Sequence, residues 1–300
     1  MEYIKGLQQA LDYIETHLTD EIDYDMIARL SYSSRYQFQR IFGVLCGMTL
    51  SEYIRCRRMT LAGAELKKGE IKVIDAALKY GYDSPDSFAK AFLKFHGVTP
   101  SAAREPKVML RSFSRLSVKI LLEGGNDMNY RIYEMPKTEF LGYKKRFTGV
   151  PGERHSQESD FFTTTRPKQY VLQGLMHDPD THYEIVTNID ENGFDFYIAE
   201  PINDEMRARD HLDMVLTEGT TDWFERFTAE AQTYVIFETE HSQMPTGEFL
   251  DLRKKIIAEW LPSSGYVLAD APEIAVGHWF RKPNQKQRYY EVWIPVKQKE

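Results

Sequence analysis

The feature that most constrains the fold is an internal repeat in the first third of the chain. A shift of fifty residues superimposes eight identical residues, namely Asp25, Tyr32, Ser34, Phe38, Phe42, Gly47, Thr49 and Ser51 on Asp75, Tyr82, Ser84, Phe88, Phe92, Gly97, Thr99 and Ser101. Matches of this number at one spacing indicate a duplicated structural unit. This region is therefore predicted to fold as two similar units that use the same apolar positions for their cores.

Each copy has the pattern of two short helices joined by a tight turn. The first helix is predicted at about 24–30 in one copy and at about 73–80 in the other. A helix-capping serine, Ser34 or Ser84, then begins a second helix that ends at a glycine. Two short helices with such a turn form a helix-turn-helix, which places its second helix in the major groove of DNA.

The second helix of each copy separates a core face from a face that is able to read DNA, because successive residues turn by about 100°. In the first copy the residues opposite the apolar face are Tyr36, Gln39, Arg40 and Gly43. Arginine pairs with guanine and glutamine with adenine, so Gln39 and Arg40 are predicted to read bases. In the second copy we expect Lys90 to contact phosphate. Asp86 is able to accept from a cytosine amine, but we expect it to weaken binding overall.

A helix predicted at about 50–67 joins the two copies. Its length of roughly 27 Å approaches the ~34 Å between successive major-groove turns, so both second helices could reach one side of a DNA duplex. This connecting helix carries the basic residues Arg55, Arg57, Arg58, Lys67 and Lys68. The duplication and these charges favour DNA binding over the alternative of an ordinary helical bundle with a solvated outer face.

Residues 22–106 resemble the DNA-binding domain of the AraC/XylS transcription regulators. The resemblance rests on the stretches SRYQFQRIF at 34–42, RRM at 57–59, AALKYGY at 76–82 and GVTP at 97–100. It implies two helix-turn-helix units joined by a long helix, with sequence-specific binding to promoter DNA. The predicted DNA-binding residues are Ser34, Arg35, Tyr36, Gln39, Arg40, Ser84, Asp86, Ser87 and Lys90. Asp86 and Lys90 depart from the neutral polar residue and the arginine that the family often has there.

The charge of the chain is divided unevenly along its length. The whole sequence has 38 Lys and Arg against 45 Asp and Glu, a net charge of −7, which by itself argues against nucleic-acid binding. Residues 1–127 hold 18 basic and 16 acidic residues, a net charge of +2, and residues 128–300 hold 20 and 29, a net charge of −9. The acidic excess therefore belongs to the second part, which would favour cations and leaves the first part free to bind DNA.

The composition also changes along the chain, and the stretch EGGND at 123–127 marks the predicted boundary. We expect an all-α DNA-binding domain at 1–108, a linker or first strand at 109–127, and a second domain at 128–300. Strands are predicted at 129–134, 140–147, 184–188, 194–199, 233–238, 273–280 and 288–295, with helices within 159–174 and at 248–260, the latter ended by Pro262. Because helix, strand, hairpin and strand follow one another twice, the second domain is predicted as an α+β fold of two pseudo-symmetric halves with a cleft between them.

The last predicted strand places Glu291 and Trp293 on one face. A carboxylate buried among aromatic side chains is costly unless it is paired, and such a pocket suits an organic cation. The alternative from the residues themselves is that Glu291 pairs with Arg281 or Arg288, or lies at a solvated strand end.

Residues 128–297 resemble the gyrase-inhibitor-like (GyrI-like) ligand-binding domain, through MNYRI at 128–132, WLPSSGY at 260–266 and YEVWIPV at 290–296. The resemblance implies a pocket between two halves for hydrophobic, often cationic small molecules, with Glu291 at the position of the central acid of the family. The predicted ligand-binding residues are Glu291, Trp293, Trp279 and Tyr197.

Other classes of protein find little support in the sequence. Cys46 and Cys56 are the only cysteines, and neither they nor the eight histidines form a metal-binding or catalytic motif. No secretory signal and no membrane-spanning run is recognised. We therefore predict a cytoplasmic, ligand-responsive transcription regulator without cofactor or enzymatic activity. Its predicted partners are promoter DNA and a small-molecule effector. In one version of the mechanism, the effector also exposes a surface for RNA polymerase. The alternative is a drug-binding or hydrolytic GyrI-like protein in which the helical domain plays a secondary role.

Overall fold

The computed structural model describes residues 2–118, 128–151, 155–176, 180–202, 223–280 and 282–299. The chain forms two compact units, one of residues 1–38 and 49–122 and the other of residues 39–48 and 123–300. The division differs from the predicted boundaries in one respect, because it assigns residues 39–48 to the second unit. Of the predicted linker, residues 109–118 are neither helix nor strand, and residues 119–127 lie outside the described residues.

The amino-terminal part is helical, as predicted. Its helices are α1 (Glu2–Thr16), α2 (Tyr24–Leu30), α3 (Arg35–Cys46), α4 (Leu50–Lys68), α5 (Val73–Lys79) and α6 (Pro85–His96). Thr49 and Glu52 form a reciprocal capping box at the start of α4, and Gly69 ends this helix in the left-handed conformation. Around α4 to α6 the core contains Leu66, Phe88 and Phe92. The apolar stripes of the sequence therefore form the interior, as their spacing predicts.

The two helix-turn-helix copies differ by one residue in the turn. Residues 31–34 join α2 to α3, whereas residues 80–84 join α5 to α6. The left-handed backbone position of the turn is Tyr32 in the first copy (φ 54°) and Gly81 in the second (φ 78°). The first helices are thus related by 49 residues and the second helices by 50, so the single shift of fifty is correct only from the capping serine onward.

Several basic side chains of α4 stabilise the helical unit itself. Arg57 donates to both carboxylate oxygens of Glu15 at 2.9 Å, and the hydroxyl of Tyr53 donates to the same carboxylate at 2.6 Å. Arg58 donates to the backbone carbonyls of Leu18 and Asp20. Lys67 likewise donates to carbonyls in 105–108. Three of the five basic residues that favoured DNA binding in the sequence are therefore engaged in structural contacts.

The second unit contains a twisted antiparallel sheet with helices on one face. The strands are β1 (Tyr130–Met135), β2 (Thr138–Thr148), β3 (Thr181–Thr187), β4 (Gly193–Pro201), β5 (Glu225–Ala229), β6 (Gln232–Glu238), β7 (Tyr266–Leu268), β8 (Glu273–His278) and β9 (Tyr289–Gln298). The helices are α7 (His155–Thr164), α8 (Arg166–Met176) and α9 (Thr246–Lys255). The strand order is β1-β6-β9-β8-β3-β4-β2-β5, with β7 paired to β9.

Two similar halves meet at the centre of this sheet, as predicted. One half consists of β2, α7 and α8, β3 and β4, and the other of β6, α9, β8 and β9. Their inner strands β3 and β8 pair antiparallel, with Ile185 opposite Ile274. β9, predicted to be a central strand, lies between β6 and β8. The sequence did not predict β5 and β7, and the helical residues continue past α9 through a π-helical turn to Ser263, so that Pro262 lies inside the last turn.

Alternation along the strands separates two faces. The helical face carries Phe147, Phe196 and Ile198, which pack against Phe161 of α7 and Leu172 of α8. The opposite face carries a second core cluster that contains Phe140, Ile185, Tyr197, Ile274 and Trp293. Because neighbouring residues of a strand point to different faces, the face on which a functional side chain lies is fixed by its parity.

Within the described part of the chain, no helix has both the length and the apolar character needed to cross a bilayer. The same residues contain no group of three or more His, Cys, Asp or Glu side chains arranged to ligate a metal. Burial raises the pKa of the Cys46 thiol to about 11, so this cysteine is a packing residue rather than a nucleophile.

Candidate functional site

The second helix-turn-helix copy presents its predicted DNA-binding residues to solvent. Ser84 caps α6 by accepting the backbone N–H of Ser87 at 3.2 Å, and Pro85 occupies the first helical position. Asp86, Ser87 and Lys90 are exposed. The orientation predicted from the helical angle is correct for this copy.

The start of α3 in the first copy is also as predicted. The hydroxyl of Ser34 accepts the backbone N–H of Gln37 at 3.1 Å, and the Gln37 side chain accepts the N–H of Ser34 at 3.2 Å. This reciprocal pair satisfies two backbone donors that a helix start leaves unpaired. Arg35 is exposed and lies over the ring of Tyr24 at 5.4 Å, whereas Tyr36 is half-buried.

The two residues predicted to read bases are not on the surface. Gln39 is 6% exposed and Arg40 only 2%. Nη2 of Arg40 lies 2.8 Å from Oε2 of Glu273. Gly43, on the same face of α3, is packed so closely that an added Cβ would lie 2.8 Å from Cγ1 of Val150. The prediction that this face is solvent-exposed is therefore wrong for Gln39, Arg40 and Gly43 in this structure, although the role of Gln39 and Arg40 in reading DNA stays a prediction.

Glu273 is held by a second arginine. Arg253, on α9, donates through Nε to Oε1 at 2.5 Å and through Nη2 to Oε2 at 3.1 Å. Burial tends to raise the pKa of this carboxyl, but the charges of Arg253 and Arg40 outweigh it and lower the pKa to about 2. Glu273 is thus ionised, and this cluster holds two guanidinium groups around one carboxylate.

A cavity of about 790 Å³ lies on the helical face of the sheet, between α7, α8 and α9. Its aromatic wall consists of Phe162, Tyr170, Phe249, Trp279 and Tyr290. Three carboxylates line it, Glu158, Glu184 and Glu200, together with Arg166, Arg288 and His182. The volume and the mostly apolar wall with a few charged groups are typical of sites for small organic molecules.

Glu184 is the carboxylate with the best-defined surroundings in this cavity. Its Oε1 accepts a hydrogen bond from the hydroxyl of Tyr290 at 3.2 Å and lies 3.0 Å from Nε2 of His182. The Tyr290 hydroxyl is uncharged, because burial and the nearby Glu184 raise its pKa well above the ordinary value of 10. His182 is charged only when it is protonated. Neither hydrogen-bonding group is a permanent cation, and both orient the carboxylate of Glu184.

Trp279 lines the same cavity, and a cation already lies over its ring. Cζ of Arg288 is 5.1 Å from the centre of the indole ring, a distance at which cation–π attraction operates. The close packing here depends on Gly277, because an added Cβ would lie 2.5 Å from the His182 ring and 2.7 Å from Trp279. This face of the Trp279 ring is therefore already in contact with a planar cation of the protein itself, the guanidinium of Arg288.

Glu291 lies on the opposite face of the sheet. It is buried and paired with a cation, since Nη2 of Arg131 lies 2.8 Å from its Oε2. Nε1 of Trp293 donates to the same oxygen at 2.7 Å, and His278 lies 3.4 Å from Oε1. Burial raises the pKa of Glu291, but these hydrogen bonds and the charge of Arg131 outweigh it and lower the pKa. The expected burial among aromatics is present, and the arginine partner is Arg131 rather than Arg288, whereas Arg281 lies outside the described residues.

The four predicted ligand-binding residues are thus divided between two faces. Trp279 lines the cavity, whereas Glu291, Trp293 and Tyr197 lie on the opposite face, where Tyr197 packs against Phe227. Their role in ligand binding stays a prediction. The sequence analysis missed Glu184, His182 and Tyr290, although an acid inside the apolar strand β3 was the available signal.

Two family models match the chain in separate regions. Residues 27–106 match a helix-turn-helix domain, and residues 131–296, more than half of the chain, match the integron-associated effector binding protein.

Individual proteins also match parts of the chain. The HTH-type transcriptional activator AarP of Providencia stuartii is 43% identical over 98 residues, which cover 33% of this chain and 73% of that protein. The regulatory protein SoxS of Escherichia coli K12 is 34% identical over 104 residues, 35% of this chain and 97% of that protein. Among solved structures, a bacterial transcription regulation protein from Staphylococcus aureus MU50 covers 57% of this chain and 99% of its own, with 14% identity and a TM-score of 0.40.

Proposed function

Because the chain belongs to the AraC-type helix-turn-helix regulators and to the integron-associated effector-binding proteins, we propose that it is a transcription regulator whose cavity on the helical face binds an aromatic organic cation. Sequence-specific contact with promoter DNA is made through α3 and α6. We place the protein in the cytoplasm with its DNA, and in one version of the mechanism RNA polymerase is a further partner. The role of the cavity is binding rather than catalysis, which the regulator relatives support.

The observation that carries the ligand class is the difference between two buried carboxylates. Glu291 has Arg131 within 2.8 Å, so its charge is compensated inside the protein. Glu184 is oriented by Tyr290 and His182, neither of which is a permanent cation, and it lies in a cavity with an aromatic wall. A carboxylate beside aromatic faces favours a ligand that carries a delocalised positive charge. Glu184 therefore takes the role that the sequence suggested for Glu291.

The test compares matched variants on the two faces. We expect Glu184→Gln to weaken binding of rhodamine 6G, a cationic aromatic dye, by roughly tenfold or more, since hydrogen bonds and contacts to a buried charged group contribute about 1.5–3 kcal/mol. Glu291→Gln is the control and should leave the dissociation constant unchanged. Fluorescence anisotropy of the dye measures both, and the uncharged dye Nile red should bind the Glu184→Gln chain as it binds the parent.

The reverse result decides between the faces. If Glu291→Gln abolishes dye binding and Glu184→Gln does not, the effector site lies on the opposite face, and the cavity beside Trp279 is not the sensor. If Trp279→Leu reduces binding together with Glu184→Gln, the aromatic contribution from the same cavity is established.

A further inference from the structure

We infer that the ion pair between Arg40 and Glu273 is an autoinhibitory contact, which keeps a DNA-reading side chain buried until a cationic effector in the cavity favours its release. The inference rests on the proposed function, because it takes Arg40 as a base-reading residue and the cavity as the effector site. It goes further by assigning the switch to named atoms and by giving the response a sign: the effector increases DNA affinity.

The burial of Arg40 is incompatible with reading DNA. A guanidinium that pairs with guanine must reach the base edge in the major groove, and the side chain of Arg40 is 1% exposed. Gln39 beside it is also buried. Gly43, one helical turn further on, approaches Val150 so closely that even a methyl group would not fit. This face of α3 has to leave its present surroundings before it binds DNA.

The cluster is asymmetric in a way that suits a releasable contact. Glu273 is bound through both oxygens by Arg253, so it keeps a complete partner when Arg40 leaves. Arg40 is less well satisfied, because its Nε and Nη1 are buried and have no hydrogen-bond partner among the described residues. Unmatched buried donors are costly, whereas a guanine or a phosphate offers Arg40 a bidentate partner. The buried position of Arg40 is therefore only weakly favoured in free energy over an exposed one.

The cluster also carries an excess of positive charge beside the cavity. The three side chains Arg40, Arg253 and Glu273 together carry a net charge of +1, while the carboxylates Glu158 and Glu184 line a small void next to Arg253 and Glu273. This void shares three lining residues with the cavity, namely Glu158, Glu184 and Phe249. The two spaces are thus separated by a single layer of side chains.

A cation bound in the cavity therefore acts on this cluster by repulsion. Like charges repel strongly where water is excluded, and a ligand shifts an equilibrium by favouring one of two states. Arg253 is fixed by its bidentate bond and by the carbonyl of Pro151. Arg40 makes fewer contacts than Arg253, so it is the cation that leaves the cluster.

The first experiment measures the exposure of Arg40 in the unaltered full chain. Phenylglyoxal modifies accessible arginines, and mass spectrometry locates the modified positions. We expect exposed Arg55 to react and Arg40 to be protected in the free protein, with rhodamine 6G increasing modification at Arg40 and not at Arg253. Equal reactivity of Arg40 and Arg55 without dye, or protection of Arg40 that the dye leaves unchanged, would overturn the inference.

The second experiment measures DNA affinity after the contact has been weakened. Glu273→Gln removes the anion that holds Arg40, and Gly43→Ala removes the space for Val150 without changing any charge. With a labelled duplex selected from random sequence by the full chain, we expect each variant to lower the apparent Kd about three- to tenfold, because the apparent Kd varies inversely with the binding-competent fraction. The matched controls are Glu291→Gln and Gly174→Ala, whose added methyl group meets no atom within 4 Å.

The outcomes separate this inference from the proposed function. Unchanged affinity in both Glu273→Gln and Gly43→Ala, together with weaker binding by Arg40→Ala, would show that Arg40 reads DNA but is not restrained. Absence of DNA binding by every variant and by the parent would instead contradict the proposed function. If Glu273→Gln does not unfold cooperatively like the parent, its DNA affinity is set aside. The affinity of Gly43→Ala and the phenylglyoxal modification of Arg40 then test the inference.

Discussion

The two helix-turn-helix copies descend from one pattern and differ in what covers their second helices. In α6 the predicted DNA-binding residues Asp86, Ser87 and Lys90 are exposed. In α3 the corresponding face carries Gln39 and Arg40, which are buried, with Arg40 paired to Glu273. The helix with the side chains better suited to base reading is therefore the one that this conformation conceals.

This difference shows which positions the two copies of the repeat have in common. Phe38 and Phe42 in one copy and Phe88 and Phe92 in the other have the same spacing and the same burial, because each copy needs the same apolar contacts. The outer faces carry no such constraint. One presents Lys90 to solvent, and the other carries Arg40, which pairs with Glu273.

The largest expected difference between the copies is in DNA specificity. Arg40→Ala should weaken binding to the selected duplex by roughly 1–3 kcal/mol through loss of a guanine contact, whereas Lys90→Ala should weaken all sequences similarly and reduce the salt dependence. Because Arg40→Ala also breaks the pair with Glu273, the loss is measured by titration in the full chain that carries Glu273→Gln. Equal losses on selected and unrelated duplexes would remove the distinction between a base-reading and a phosphate-binding copy.

A smaller difference is expected at the helix starts. Ser34→Ala should cost about 1 kcal/mol of stability, because it removes the acceptor for the Gln37 N–H. Ser84→Ala should cost less, since Pro85 lacks an N–H and already has the backbone angle of a first helical residue. Urea unfolding followed by circular dichroism measures both, with Ser34→Asn and Ser84→Asn as controls that retain a capping oxygen. A larger loss at Ser84 would contradict this ranking.

The smallest effect is expected from the acid in the second copy. Asp86 stands where the first copy has Tyr36, and it is exposed. Replacing it by asparagine removes a negative charge that we expect to repel the phosphates, so Asp86→Asn should tighten DNA binding about two- to fivefold, within the usual range of an exposed charge. The gain should disappear at high salt. Weaker binding by this variant would indicate that Asp86 accepts from a cytosine amine.

Most of the fold could be predicted because it depends on local patterns. The apolar stripe that contains Phe88 and Phe92, the capping residues Ser34 and Ser84, and the alternation in β9 each act over a few residues. The features that were not predicted have only weak signals in the local sequence. Short β7 has three residues, and the extra residue in the turn before Ser84 is concealed because Asp25 and Asp75, and Tyr32 and Tyr82, are identical at a shift of fifty although they are not structurally equivalent.

The candidate ligand site could be predicted only in part. Period-two alternation correctly placed Glu291 and Trp293 on one face of the sheet. It also put Tyr290 on the other face, but it did not indicate which of the two faces binds a ligand. That choice depends on Arg131, which neutralises Glu291 from a strand 160 residues earlier, and on the helices that enclose Glu184. Contacts between distant segments determine which carboxylate is paired with an arginine.

The sequence by itself determined the two kinds of fold, the duplication, the positions of the helices and most strands, and the parity of each strand residue, because these follow from repeating local patterns of polarity and backbone preference. Only the tertiary structure decided that Arg40 is concealed by Glu273, that Arg57 and Arg58 stabilise the helical unit, and that Glu184 lies in the cavity while Glu291 is paired. The role of a charged side chain depends on the group with which it pairs, and the partner of Arg40 is more than two hundred residues away in the chain.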